Sequence, residues 1–220
     1  TIENISIEGN VSGSGYSGGL IGFISDNTIE TIKDITIKGD ILSTDIDSST
    51  AGGIIGFISK DTIGTIKDIT IKGNILSTDT DSYFVAVGGL LGAVYTNIDT
   101  IENILIEGDI IGKRDTGGLI GDTGGTIGTI IDITIKGDIL STDIDSTTAG
   151  GLIGQTYSTL NNITNISIES IIKGERAGGL IGEGSPQLLS IYDVKIINSE
   201  INGIKNSGGL FGALYSSAPI

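Results

Sequence analysis

The pentapeptide Gly-Gly-[Leu/Ile]-[Ile/Leu/Phe]-Gly occurs seven times in this chain, at successive spacings of 34, 36, 29, 33, 28 and 30 residues. A unit of about 30 residues cannot bury an apolar face alone, so its repetition demands that neighbouring units stack. The motif glycines are Gly18, Gly19 and Gly22; Gly52, Gly53 and Gly56; Gly88, Gly89 and Gly92; Gly117, Gly118 and Gly121; Gly150, Gly151 and Gly154; Gly178, Gly179 and Gly182; and Gly208, Gly209 and Gly212.

A second signature, Ile-x-[Asn/Asp]-[Ile/Val]-x-Ile, begins at Ile2, Ile32, Ile66, Ile101, Ile130, Ile163 and Ile191, so every unit carries both parts. From the last motif glycine to the next signature Asn or Asp is always 11 or 12 residues, whereas from there to the next double glycine is 13 to 20. Insertions are therefore confined to one corner of the unit. Two 19-residue stretches starting at Ile35 and Ile133 differ only at Ser49 and Thr147, which marks duplication of a module and not a pair of active sites.

Within each signature the alternation of Ile with polar residues has the period of a half-buried strand, and in Asp34–Ile41 the inward set is Ile35, Ile37, Gly39 and Ile41. β-Branched residues between glycines, 36 Gly and only 2 Pro favour strands and turns over helices. The expected fold is all-β: residues 1–220 form a single parallel β-solenoid domain of seven coils of 28–36 residues. Its hand is right-handed by the crossover rule, and its length is about 34 Å.

Two columns test the stacking. Residues 5, 35, 69, 104, 133, 166 and 194 read Ile six times and then Val, as a core ladder requires. The outward column at 8, 38, 72, 107, 136 and 169 reads Glu, Lys, Lys, Glu, Lys, Glu, so opposite charges meet at most steps. A neighbouring column, Ser6, Thr36, Thr70, Leu105, Thr134, Ser167 and Lys195, is too interrupted to be an ice-ordering face. The Asn or Asp of each signature (Asn4, Asp34, Asp68, Asn103, Asp132, Asn165, Asp193) is read as a corner residue tolerating unusual dihedrals, with a line of calcium ligands as the alternative. The double glycines are read as corners that need positive φ or close approach of coils.

The alternating Ile strand followed by Gly-Gly-Leu-Ile-Gly resembles the GLUG-motif repeat of large bacterial surface proteins, including adhesins, over essentially the whole chain. The resemblance implies a structural spacer at the cell surface. Some relatives carry a metallopeptidase, but that activity needs histidine ligands and this chain has no histidine.

Composition narrows the remaining classes. The formal charge is -15, with two arginines (Arg114, Arg176), so no nucleic-acid partner is expected. No apolar run reaches the ~20 residues of a membrane span, so no membrane insertion is expected. Cysteine, histidine, methionine and tryptophan are absent, which removes thiolate and imidazole chemistry. A chain that starts at Thr1 without methionine reads as a processed product or excised segment. Carboxylate pairs remain at Asp45 with Asp47, Asp79 with Asp81 and Asp143 with Asp145. They are read as solvated corners, with weak calcium binding as the alternative and a polysaccharide-cutting site ranked behind it. Sequons at Asn4, Asn10, Asn162 and Asn165 could carry glycan.

The expected function is structural and non-enzymatic, without cofactor: an extracellular or cell-surface solenoid, either a filament subunit that associates end to end or an adhesin stalk. The alternative is a module that binds glycans or other surface proteins through its long corners and the Tyr83-Phe84-Val85 insertion.

Overall fold

The computed structural model describes residues 1–25, 28–44, 49–78, 85–143 and 145–215. Among them there is no helix, and every strand pairing is parallel. Two sheets of twelve strands each run the length of the stack, as the alternating Ile pattern and the repeat require. Each of the first five units contributes four strand segments, illustrated by the second: Ile29–Lys38 carries the signature, Ile41–Ser43 follows a corner, Ser49–Gly52 leads into the double glycine, and Ile55 begins the segment after it; in the last two units the middle pair is one strand, Ile171–Gly178 and Glu200–Gly208. The signature and post-glycine segments form one sheet, and the other two form the second. From Ile55 the post-glycine segment continues without a break into the signature of the third unit, giving the 18-residue strand Ile55–Lys72.

The predicted registry holds at all seven levels. Ile5, Ile35, Ile69, Ile104, Ile133, Ile166 and Val194 pair in succession. Ile35, Ile69, Ile104, Ile133 and Ile166 are no more than 2% exposed. A one-residue slip would turn this whole apolar set outward, which is why the pattern specifies the pairing so strongly. The charged column is also in register, with Lys38 Nζ 2.7 Å from Glu8 and Lys72 Nζ 2.9 Å from Glu107.

All seven signature Asn and Asp residues have φ between 53° and 59°. A single left-handed residue bends the signature strand without ending it, and Asn and Asp tolerate that conformation better than other side chains. The side chains also tie levels together, as when Asn103 Nδ2 donates to Asp68 Oδ1 at 2.7 Å.

At Gly39 the structure revises the sequence reading. Gly39 does not continue the inward alternation of one strand; it is a corner with φ +139° between Ile29–Lys38 and Ile41–Ser43. Beside this corner runs a second polar ladder. The backbone N–H groups of Asp40, Asn74, Asp109 and Asp138 donate to side-chain oxygens of Asn10, Asp40, Asn74 and Asp109, at 2.8–2.9 Å. It satisfies backbone donors that a corner would otherwise leave open.

The motif glycines resolve to close approach. None of the 21 is among the glycines with positive φ. A Cβ on Gly118 would lie 2.1 Å from the Gly151 carbonyl oxygen and 2.9 Å from the Ile135 side chain, so the coils could not keep their spacing with a larger residue. Insertions lie where expected, between the short strand and the pre-glycine strand, and the sixth unit has none: Ile171–Gly178 is a single strand. There Glu175, fully buried, accepts from the Ser146 N–H at 2.7 Å and lies 3.0 Å from Lys205 Nζ. Burial is the largest influence on that carboxyl and pushes its pKa up, but the Lys205 bond, the Ser146 N–H and the Arg176 charge together bring it below the ordinary value.

Candidate functional site

The turn made by each double glycine brings two columns of side chains face to face along one edge of the solenoid. The first column stands two residues before the glycines: Tyr16, Thr50, Ala86, Asp115, Thr148, Arg176 and Asn206. The second stands directly after the third glycine: Phe23, Phe57, Ala93, Asp122, Gln155, Glu183 and Ala213. Contact across the turn is direct, since the rings of Tyr16 and Phe57 stack with centroids 4.8 Å apart.

The edge has two chemically distinct halves. Units one to three carry an aromatic stack, Tyr16, Phe23, Phe57 and Tyr95, with neighbouring centroids 4.8–5.8 Å apart. Such contacts add to the parallel pairing of the coils beneath them. Units four to six carry Asp115, Asp122, Arg176 and Glu183, and the two halves are separated by Ala86 and Ala93. Tyr95 joins them: its ring packs on Phe57 and its hydroxyl donates to Asp122 Oδ2.

Asp115 and Asp122 are 8% and 5% exposed. The Thr148 hydroxyl donates to Asp115 Oδ1 at 3.0 Å. Arg176 is engaged by Glu183 at 3.0 Å and Glu175 at 3.3 Å. Burial, followed by the charge of Asp122, pushes Asp115 up to about 7, against the Thr148 bond and Arg114. Burial also raises Asp122, opposed by the Tyr95 hydroxyl and the Thr123 N–H. Tyr95 is raised in turn by burial and then by the nearby carboxylates, so its proton stays on oxygen. Burial thus disfavours charge on both carboxyls, and the charge of Asp122 disfavours it further on Asp115.

Neither aspartate belongs to the acid pairs that stand out in the sequence. A sign of them is present all the same: the fourth unit is the first to place an acid on both sides of the pentapeptide, in Asp115-Thr116-Gly117 and in Gly121-Asp122, where units one to three carry Tyr, Thr, Phe or Ala.

The acid pairs of the long corners, by contrast, form no cluster among the described residues. Asp143 is half-buried with Lys113 Nζ 3.9 Å from its carboxylate, and Asp145 is exposed. Asp45, Asp47, Asp79 and Asp81 lie outside the described residues, as do Tyr83 and Phe84, while Val85 is buried. Among the described residues no three or more acidic side chains are grouped to hold a metal ion. Of the sequons, Asn4 and Asn10 are exposed, Asn162 is half-buried, and Asn165 is exposed but its Nδ2 donates to Asp132. A recess of about 280 Å³ lies against the sixth unit, lined by Leu140, Ser141, Thr142, Asp143, Lys173, Gly174 and Ile204. It forms where a unit without a projecting corner adjoins the longer corner of unit five.

No helix among the described residues is long and apolar enough to cross a membrane. Comparison of the chain with protein-family models, with curated proteins and with solved structures returned no match.

Proposed function

We propose that this chain is a stiff structural rod of an extracellular or cell-surface protein, serving as a stalk or as the subunit of a head-to-tail filament. The observation that carries this reading is unbroken registry, because one core ladder runs through all seven levels and one charged column through the first six. The resemblance to GLUG repeats points the same way.

Negative-stain imaging with sedimentation velocity tests the reading. Straight rods whose frictional ratio exceeds that of a globular protein of equal mass are expected, and flexible or compact particles would overturn it.

A second reading, a glycan-binding module, draws support from the recess against unit six and from the exposed rings of Tyr16 and Phe23, 40% and 48% accessible. Binding on a glycan array that is lost in Lys173→Ala or Phe23→Ala would favour it, and an array without binders would remove it.

A further inference from the structure

Every level of this solenoid is built from the same parts, so a place where buried chemistry departs from the repeat calls for its own explanation. The edge beside Asp115 and Asp122 is that place. The groups facing the pair are Ala86 and Thr148 from the flanking pre-glycine strands, Tyr95 and Gln155 from the post-glycine side, and Glu183 and Arg176 one level further on. Arg114 precedes Asp115 in the chain, and Tyr157 and Tyr215 border the same cluster. No lysine stands in either column, and Arg176 is engaged by two other carboxylates. Two ionised aspartates here would be buried like charges that the Arg114 charge offsets only in part, an arrangement that is costly unless one of them holds a proton.

We propose that Asp115 and Asp122 form a proton-operated latch on the double-glycine edge of units four to six, closed while the pair holds one proton and loosened when both carboxyls are ionised. Opening breaks the O–H bond of the protonated carboxyl, leaves the electron pair on the carboxylate and passes the proton to water; no other covalent bond changes. The strands affected are Asp115–Gly117 and Ile120–Thr123, which the corner residues Gly118 and Leu119 connect. Those corner residues are tied to the next level by Gly118 N–H to Gly150 O at 3.0 Å and Leu119 N–H to Leu152 O at 2.8 Å. The equivalent edge of units one and two has aromatic rings, Tyr16, Phe23 and Phe57, and no acids, and supplies an internal reference.

The direction follows from linkage. Asp115 holds its proton more tightly in the folded chain than an unfolded aspartate, whose pKa is about 3.9. Its contribution to stability is therefore complete below that value and is lost as pH rises through about 7.

Two measurements on the whole chain test the latch. Hydrogen exchange of Gly118 and Leu119, divided by that of Leu20 and Ile54 and corrected for intrinsic rates, is expected to rise between pH ~5 and ~8. The rise is limited to about tenfold per pH unit for one linked proton. In Asp115→Asn, which keeps the shape and cannot ionise, the ratio is expected to stay flat. The carboxylic-acid C=O stretch is expected in the wild type near neutral pH and absent from Asp115→Asn. A ratio in the wild type that does not change with pH, or a carboxylic-acid band that persists unchanged in Asp115→Asn, would overturn the proposal. Should Asp115→Asn fail to fold, Thr148→Val provides the second variant. Removing a bond that favours the ionised form is expected to shift the exchange transition to higher pH, and an unshifted transition would count against the latch.

Discussion

Asn103 Nδ2 donates to Asp68 Oδ1, 2.7 Å away on the preceding level, and both residues stand in left-handed backbone, at φ 53° and 56°. The residue type thus meets two demands at one column: it tolerates the bend, and it links one coil to the next. An aliphatic side chain meets neither. Asn103→Ala is expected to lower stability by about 1–2 kcal/mol, the cost of placing an ordinary L-residue in that region. Asn103→Gly, which restores backbone freedom and forfeits only the side-chain bond, is expected to cost less. Urea unfolding of the two variants checks the order, and equal losses would mean that the bond and not the bend sets the requirement.

Position within the stack decides what a motif glycine is for. Gly118→Ala would put a methyl group against the Gly151 carbonyl, and a loss of about 1–3 kcal/mol is expected from overpacking. Gly209, the equivalent residue of the last unit, has nothing within 4 Å of the position that an alanine methyl group would take. Gly209→Ala is expected to stay within about 0.5 kcal/mol of the wild type in the isolated chain. Thermal unfolding of both distinguishes close approach from any backbone requirement of the motif.

Lys72 holds Glu107 below the usual carboxylate range, first through its hydrogen bond and then through its charge. Because the folded pKa is depressed, the pair's contribution is present above the unfolded value and is lost as pH falls through the folded one. The pair is exposed, so the contribution is small and screened by salt. Lys72→Met is expected to move the Glu107 titration up toward its ordinary position, and added salt is expected to do the same in the wild type. A carboxyl-detected NMR titration reads both, and an unmoved Glu107 would mean that the ladder pairing is not maintained in solution.

Much of this architecture is legible in residues 1–220 because it depends on pattern. The Ile columns specify registry, since a slip of one residue would expose all of them together. The bent position at Asn4, Asp34 and their equivalents is readable because few residue types tolerate such dihedrals. The confinement of insertions to one corner is visible in the spacing alone. Gly39 escapes the pattern for a related reason: a glycine that preserves alternation leaves no trace of whether it continues a strand or turns it.

The Asp115–Asp122 pair belongs to a different class of information. The two residues are close because a double-glycine turn folds one column onto the other, and their carboxyls interact because adjoining levels cover them. Their spacing along the chain is the same as that of Tyr16 and Phe23, which form a stack instead. Periodicity and residue chemistry are properties of the chain and suffice to specify a stack of coils. The face one column presents to another, and how much water is excluded between them, exist only after the sheets have met, and it is that burial which turns two ordinary aspartates into a coupled pair.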